Sequence, residues 1–514
     1  MESFAGARPD VLVVGAGGSG AVLAARLSED ADRRVLLLEA GPVPSAFGAE
    51  LLDARLVPGA RPRHPATVAH AVRLAAGRPW EVPRGRIAGG STTVNGGYFM
   101  RARRADFDRW AAAGGGPAWT YERMLPILRR LENDLDFGAR PVHGRGGPMP
   151  VSRDGLTHPA AVAFRDAATA LGFPAEPDKN DEGPPGFGPV PSNSVDGVRH
   201  NTALAHLTPE ARARPNLTVL GGCLVRRVVV RGGRATGVVV ERDGGAPETF
   251  DAGCVVLCAG ALATPHLLLL SGIGPRADLE RAGVPVVRDA PAVGARLADH
   301  PQLVLDWRPH ADLEPPSDGW LGGCLHLDSR STTAGCPGDI EILQSLVPMA
   351  GLVGGTVSVP GAPHSFLVSV QTPGPTGRLR LRSADPAVPP AVDYDYLRDG
   401  EVLRRLRVAV RTTADLVGTE AFGTVSRGGL LAPGAAERAD DRALDAWIGD
   451  RIGTAQHTCG TVPLGAATDA YGRVRGVDGL RVADTSLLPD TPQRGPAATA
   501  VLIGEFVADA LRHG

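Results

Sequence analysis

Hydrophobic residues at the start of the chain form two continuous runs separated by a stretch with helical spacing. Val11–Val14 and Val35–Leu38 are wholly apolar, and residues 21–27 between them place apolar side chains around a helix. Short continuous apolar runs are typical of strands buried on both faces, and two parallel strands need a crossover between them. The pattern therefore predicts one βαβ unit near the N-terminus, with Glu39 directly after its second strand.

Later stretches predict further sheets. Residues 217–257 alternate apolar and polar positions around pairs of glycines, which predicts antiparallel hairpins. The apolar run at 254–260 ends in glycine and predicts a buried strand. Strand-like segments alternate with turns over residues 303–381, and residues 402–417 have helical spacing. These features predict a second unit with a sheet of its own.

The end of the chain predicts a strand at 480–483, a loop at 484–495 and a helix at 497–511. This strand and helix would return the chain to the first unit. The length of 514 residues alone allows about three domains, but a returning tail favours two. We therefore predict an α/β fold of mixed α+β character.

Composition excludes several partners and sites. The net charge of −2 gives no electrostatic reason to expect nucleic acid. Lys179 is the only lysine, and we attribute the excess of arginine to a GC-rich genome. The six cysteines have no metal-ligand spacing, so we expect buried thiols and no metal. Residues 1–10 lack an apolar signal segment, and the apolar run at 262–273 is too short to span a bilayer, so we expect a cytoplasmic protein without a transmembrane segment.

A glycine motif lies between the first predicted strand and helix. Gly15, Gly17 and Gly20 have the G-x-G-x-x-G spacing that permits a tight turn, close approach of a pyrophosphate and close packing of helix on strand. Glu39 follows at the end of the next strand, where a carboxylate accepts hydrogen bonds from an adenosine ribose. The motif predicts dinucleotide binding but does not separate NAD from FAD.

A second glycine-rich loop lies at residues 84–96, where glycines let the backbone lie against a flat ring system. Its sequence from Gly85 to Gly96, GRIAGGSTTVNG, resembles the first signature of the glucose-methanol-choline (GMC) oxidoreductases. Other segments resemble further motifs of that family in the same order: residues 260–275, 293–301, 457–461 and 480–486. The resemblance extends from residue 11 to about residue 510.

The resemblance implies FAD bound in an extended form beneath a substrate domain. Carried over by position, the cofactor residues are Gly15, Gly17, Gly20, Glu39 and Ala40 for the ADP part, Val225 and Gly260 on the adenine side, Arg86, Gly89, Gly90, Ser91, Asn95 and Gly96 along the flavin, Asp484 near the ribityl chain, and Pro496 and Ala497 near the ring. Covalent flavins of the family are attached through a histidine just before the asparagine. Here that position is Val94, which implies non-covalent FAD.

The same resemblance places His457 opposite flavin N5, and we predict that it is the catalytic acid/base. An imidazole there could accept an alcohol proton while hydride leaves the carbon, and these two transfers suit a pKa near neutrality. His300 also matches a family position, and we expect a structural role for it.

One position departs from the family pattern. A second His or Asn precedes the proline of the last loop in these enzymes, and here the residue is Gly495. Either Arg494 or Gln493 takes over that role, or His457 acts alone. An arginine near the flavin would stabilise anionic reduced flavin or bind an acidic substrate group, so Arg494 is a second catalytic candidate, with a solvent-facing arginine as the alternative.

The predicted architecture is a Rossmann-like FAD-binding domain, formed by residues 1–135, 190–302 and 443–514, with an antiparallel-sheet substrate domain formed by 136–189 and 303–442. The predicted function is an FAD-dependent oxidoreductase that removes hydride from a CH–OH group of a small alcohol.

Features such as the sequence Arg494-Gly495-Pro496 suggest the family's mycofactocin-associated branch, in which a reduced redox cofactor would be reoxidised and electrons passed toward respiration, close to a membrane. The alternatives are a simple alcohol oxidase or dehydrogenase, a lyase with structural flavin, a flavin-binding protein with a decayed site, and a nicotinamide enzyme.

Overall fold

The computed structural model describes residues 8–329, 337–371, 374 and 376–513. The strands, in chain order, are β1 Val11–Val14, β2 Val35–Leu38, β3 Thr67–Arg73, β4 Pro79–Gly85, β5 Glu132–Asp134, β6 Met149–Arg153, β7 Phe187–Pro189, β8 Pro191–Ser192, β9 Ser194–Val195, β10 Val198–Arg199, β11 Leu217–Leu220, β12 Cys223–Arg231, β13 Arg234–Arg242, β14 Glu248–Asp251, β15 Cys254–Leu257, β16 Ile273–Gly274, β17 Arg288–Asp289, β18 Pro301–Pro309, β19 Leu321–Leu327, β20 Ile340–Ser345, β21 His364–Val370, β22 Arg378–Arg380, β23 Ala391–Asp393, β24 Ser426–Leu430, β25 Gly453–Thr454 and β26 Leu480–Val482.

The α-helices are α1 Gly20–Leu27, α2 Ala49–Leu52, α3 Ser91–Val94, α4 Arg104–Trp110, α5 Tyr121–Leu131, α6 Pro159–Ala170, α7 Thr202–His206, α8 Pro209–Arg212, α9 Gly260–Leu270, α10 Arg276–Arg281, α11 Met349–Gly354, α12 Gly400–Val417, α13 Glu420–Gly423, α14 Ala435–Ala439, α15 Asp441–Arg451 and α16 Ala497–Arg512.

A parallel sheet of five strands forms the first unit, in the order β11-β2-β1-β15-β26. Val11 pairs with Val35 on one side and with Cys254 on the other. All residues of β1 and β2 are buried, as their continuous apolar sequence requires, and α1 packs against α16. The predicted βαβ unit and the return of the C-terminal strand to the first sheet are confirmed.

The hairpin prediction over residues 217–257 is correct in part. β12, β13 and β14 form an antiparallel sheet, with Gly232 and Gly233 in left-handed conformations at the first turn. β11, however, is not part of a hairpin: Leu217 pairs with Val35 in the parallel sheet. This pairing places β11 in the parallel sheet. Its partner strand, β2, lies far away in the sequence.

The second unit has its own antiparallel sheet, as predicted. Its main path is β24-β18-β21-β20-β19-β7, and β25 pairs with β18. Helix α12 packs against β20 and β21. The strand β22 instead belongs to a smaller sheet with β23, β3 and β4. The domain boundaries given above stay a prediction.

Two expectations concern the chain as a whole. Within the part of the chain that the structure describes, no helix has the length and hydrophobicity needed to cross a membrane. The described cysteines have free thiols, buried except at half-buried Cys254, and Cys336 lies outside the described residues.

Candidate active site

The first glycine motif forms a tight turn between β1 and α1. Gly15 has a φ of 99°, and a Cβ there would lie 2.6 Å from the carbonyl oxygen of Cys258. A Cβ on Gly20 would lie 1.9 Å from the carbonyl oxygen of Gly15. Side chains at these positions are therefore sterically excluded, and α1 begins close to the ends of β1 and β15.

Glu39 holds this turn from the end of β2. Its carboxylate accepts hydrogen bonds from the main-chain N–H groups of Ala16 and Gly41, both at 2.9 Å. Burial raises the pKa of Glu39 despite these bonds. A cavity of about 830 Å³ opens next to it, and Ala40 and Arg86 line that cavity.

The second glycine loop lies against the first one. A Cβ on Gly90, whose φ is 53°, would lie 2.7 Å from the Cα of Gly17. A Cβ on Gly18 would lie 3.2 Å from Thr92 Cγ2 and 3.5 Å from the Cβ of Ala500. The two loops and the first turn of α16, which follows Pro496 and begins at Ala497, therefore meet at one place.

Two polar side chains of the second loop make local hydrogen bonds. The hydroxyl of Ser91 accepts from the main-chain N–H of Gly85 at 3.2 Å, and Oδ1 of Asn95 accepts from that of Gly97 at 3.0 Å. Gly89, with a φ of 84°, lies at the sharp turn before them. These bonds fix the shape of the loop on which the predicted flavin contacts lie.

The second unit covers the end of this loop. The indole N–H of Trp320 donates to the carbonyl oxygen of Gly96 at 2.8 Å. Val94 is only 3% exposed and packs in a small apolar cluster with Ile87. At the position where some family members attach flavin covalently, this chain thus has a core side chain.

Asp484 joins the last sheet strand to the start of α9. Its Oδ2 accepts from the main-chain N–H of Gly260 at 2.9 Å and from the hydroxyl of Thr264 at 2.6 Å. Val225, on the predicted adenine side, is buried in β12. The structure thus places the predicted cofactor residues of the first turn, Glu39, Gly260 and Asp484 at the ends of adjacent parallel strands, and it places Gly90 of the second loop against Gly17.

His457 lies in the loop after β25 and contacts His300. Their Nδ1 atoms are 2.8 Å apart, and the rings are perpendicular. The Nε2 atom of His457 makes no hydrogen bond with the described residues. His300, for which only a structural role was expected, is therefore a direct neighbour of the predicted base.

Asp299 holds both histidines through their main chains. Its Oδ1 accepts from the N–H of His457 at 2.9 Å and from that of His300 at 2.7 Å. Its Oδ2 accepts from the hydroxyls of Thr458 and Thr454 at 3.0 and 3.3 Å. Burial raises the pKa of Asp299 to about 6, against these bonds and the nearby Arg84.

Electrostatics keep the imidazole of His457 neutral. Burial, followed by the neighbouring His300 and by Arg84, lowers the pKa of His457 to about 3, although Glu341 acts in the opposite direction. At neutral pH the ring therefore has one unprotonated nitrogen that can accept a proton.

The site next to Gly495 is filled by Tyr98. A Cβ on Gly495 would lie 3.0 and 3.1 Å from two carbons of the Tyr98 ring and 3.3 Å from Cε1 of His457. The Tyr98 hydroxyl donates to Glu341 at 2.7 Å. An aromatic ring thus occupies the space of the family's second His or Asn, which the sequence did not indicate.

Arg494 and Gln493 were the residues expected to replace that His or Asn. Neither of them makes a hydrogen bond with His457. The guanidinium of Arg494 is fully buried, so the solvent-facing alternative was wrong. Its Nη1 donates to the carbonyl oxygens of Gln493 and Gly338 at 2.7 and 3.4 Å. The Gln493 side chain donates to the carbonyl oxygen of Pro337. A catalytic role for Arg494 stays a prediction.

A buried charged cluster lies beyond Tyr98. Nε2 of His326 is 3.0 Å from Glu341, Lys179 Nζ is 3.1 Å from Nδ1 of His326, and Lys179 pairs with Glu176 at 2.6 Å. Burial alone would raise the pKa of Glu341, but the hydrogen bonds from His326 and Tyr98 lower it to about 2. This cluster was missed, although a single lysine in so arginine-rich a chain could have indicated it.

Cys324, His326 and Glu341 also have metal-ligating atoms within 4.8 Å of one another. Lys179 and Tyr98 already hydrogen-bond His326 and Glu341. The adjacent ammonium group is unfavourable for a metal cation, so this cluster is better described as an internal ion-pair network.

Comparison with known families identifies the family and the fold. The N-terminal and C-terminal models of GMC oxidoreductase match residues 9–302 and 373–504. The chain belongs to the GMC oxidoreductase family. It is 38% identical over 509 residues to an uncharacterized GMC-type oxidoreductase in the thcA 5′ region of Rhodococcus erythropolis, covering 96% of this chain and 97% of the relative.

Two further similar proteins are named for an activity. An oxygen-dependent choline dehydrogenase of Rhizobium etli is 33% identical, with 97% of this chain and 95% of the relative covered. The structure of pyridoxine 4-oxidase from Mesorbium loti superposes with a TM-score of 0.90 at 29% identity, covering 98% of this chain and 99% of that one. The chain is thus a GMC-type, FAD-dependent oxidoreductase with the predicted mixed α/β fold.

Proposed function

We propose that this enzyme oxidises the CH–OH group of a small alcohol, with His457 as the base that accepts the hydroxyl proton. The observation that carries this proposal is the neutral imidazole of His457, whose Nε2 makes no hydrogen bond with any residue that the structure describes while its Nδ1 is held by His300. Bound FAD would supply the hydride acceptor.

The residues at the strand ends fit this cofactor. The convergent glycine loops, the carboxylate of Glu39 and the cavity lined by Ala40 and Arg86 would hold the ADP part. The loop from Gly89 to Gly96 and the first turn of α16 would lie along the flavin. Because Val94 offers no nucleophile and is buried in an apolar cluster, the cofactor would be held without a covalent bond.

His457 would receive the proton at Nε2 while the alcohol carbon loses hydride. The low pKa keeps the imidazole of the free site unprotonated at pH 7, and general-base catalysis by a positioned side chain contributes roughly 10²–10⁴-fold to a rate. After the transfer, the imidazolium would be stabilised by Glu341, the carboxylate that favours a charged His457.

The donor class is supported by the relatives, two of which are named for the alcohols choline and pyridoxine. The second donor we consider is a reduced redox cofactor of the mycofactocin type, with electrons passing to a respiratory acceptor. It is supported by Gly495, which admits the Tyr98 ring where the family has a polar side chain.

One set of experiments tests cofactor and reaction together. The purified protein should be yellow and should release all of its flavin on acid precipitation. Anaerobic mixing with choline, pyridoxine, benzyl alcohol and reduced mycofactocin should bleach the 450 nm band with at least one donor. Bleaching by mycofactocin alone would select the second donor. Oxidised flavin throughout, together with turnover of an alcohol, would contradict the proposal in favour of a lyase.

A further inference from the structure

We infer that His300 is a positioning residue that sets the tautomer of His457, so that the proton-accepting nitrogen is Nε2. The inference rests on the proposed function, because the tautomer matters only if His457 is the base. It concerns a residue for which the sequence indicated only a structural role.

The hydrogen bond between the two rings needs one donor and one acceptor. Their Nδ1 atoms lie 2.8 Å apart, which is a hydrogen-bond distance. In a neutral pair, one Nδ1 must carry the hydrogen and the other must accept it, because a neutral imidazole has one N–H and one lone pair. The pair can therefore be ordered in two ways, and only one of them leaves Nε2 of His457 unprotonated.

The surroundings of His300 favour that order. No residue that the structure describes makes a well-formed hydrogen bond with its buried Nε2, but the main-chain carbonyls of Gln371 and Pro492 lie beside the ring and favour a proton on it. Since Nδ1 of His300 faces His457, those carbonyls stabilise a hydrogen on Nε2. Nδ1 of His300 is then the acceptor, and Nδ1–H of His457 is the donor.

The backbone fixes the two rings relative to each other. Asp299 accepts the main-chain N–H groups of both histidines, and the N–H of Ala455 donates to the carbonyl oxygen of His300 at 3.0 Å. Pro301 pairs with Thr454 where β18 meets β25. The contact between the rings therefore does not depend on flexible side chains alone.

The consequence for the reaction is a fixed proton path. The alcohol O–H bond would break toward Nε2 of His457, and FAD, when bound, would supply the acceptor for the hydride that leaves the carbon. His300 takes up no proton: it accepts the same Nδ1–H hydrogen bond before and after the step. A carbonyl product and an imidazolium remain, so charge and hydrogen balance.

The direct test is the tautomer of His457 in holoenzyme labelled with ¹⁵N-histidine, with its signals assigned by their loss in His457→Gln. We expect a protonated Nδ1 and an unprotonated Nε2 in the wild type, and the same state in His300→Asn, whose amide oxygen can replace the acceptor. His300→Leu, which has no acceptor, should show a mixture. A protonated Nε2 in the wild type would overturn the inference.

Kinetics of the same variants separate positioning from folding. In His300→Leu we expect kcat with the best alcohol to fall about 10- to 100-fold with KM within about threefold, and His300→Asn to recover most of that loss. His206→Leu, which removes a buried histidine elsewhere, controls for loss of stability. Equal losses in His300→Asn and His300→Leu would contradict positioning. Failure of the wild type to oxidise any donor would instead contradict the proposed function, and the NMR result would be unaffected.

Discussion

The carboxylate of Asp299 accepts the main-chain N–H of His457 at 2.9 Å, and this bond fixes the position of the backbone that carries the imidazole. The same carboxylate is fully buried and accepts three further hydrogen bonds. A buried side chain with four donors around it is a structural requirement of the site, because each donor left unpaired costs about 1–3 kcal/mol.

The effect of replacing Asp299 should therefore depend on whether the new side chain can still form hydrogen bonds. In Asp299→Asn the amide oxygen can accept the two main-chain N–H groups, and the amide N–H can donate to the threonine hydroxyls, so kcat should stay within about threefold. Asp299→Leu removes the acceptor that these four donors share and should lower kcat at least about tenfold and lower the Tm. Steady-state kinetics and thermal scans of the two variants measure this, and equal effects would contradict it.

The contact between Tyr98 and Gly495 predicts that the family's usual side chain is harmful in this chain. Gly495→Asn must push the Tyr98 ring aside, because the Cβ alone would lie only 3.0 Å from it and the amide group extends beyond the Cβ, and kcat should fall about tenfold or more. Gly449→Asn is a matched control, since a Cβ there meets nothing within 4 Å.

The double variant Gly495→Asn with Tyr98→Ala removes the clash and should recover part of the lost activity. If Gly495→Asn alone were as active as the wild type, Tyr98 would not be the residue that fills this space.

These examples also show what the sequence could predict. The βαβ unit, the glycine turn and the position of Glu39 follow from local patterns, because apolar runs and glycine spacing act over a few residues. Asp299, Tyr98 and Glu341 could not be connected with His457 in this way. They lie on segments that are far apart in the sequence, and only the pairing of β18 with β25 and the antiparallel sheet bring them together. The pairing of β11 was missed for the same reason.

Glu39 should determine much of the affinity for FAD. Glu39→Gln replaces one carboxylate oxygen by an N–H group, which would face a main-chain donor at Ala16 or Gly41. The carboxylate is also the predicted acceptor for the ribose hydroxyls, and a lost hydrogen bond to a charged group is worth about 1.5–3 kcal/mol, so we expect the Kd of FAD to rise roughly 10- to 100-fold. Fluorescence titration of the apoprotein measures the Kd. Glu29→Gln, in a partly exposed salt bridge, is the control, and a Kd equal to that control would argue against the assignment.

Because His206 is buried, the stability of the folded protein should depend on pH. Burial lowers its pKa from 6.5 to about 3, so between these values the unfolded chain binds a proton that the folded protein does not. Stability is therefore lost as pH falls below about 6.5. His206→Gln should narrow the Tm difference between pH 7 and pH 5 by about 1–3 °C. His513→Gln at the exposed C-terminus should not, and a parallel shift in both variants would refute the linkage.

The role of His457 is the central claim, and the rate of flavin reduction measures it most directly. Wild type and His457→Gln would be mixed anaerobically with the best alcohol donor, and the 450 nm absorbance followed in a stopped-flow instrument. We predict a limiting reduction rate about 10²–10⁴-fold lower in His457→Gln, with unchanged FAD content and oxidised spectrum. A limiting rate within about threefold of the wild type would contradict the account.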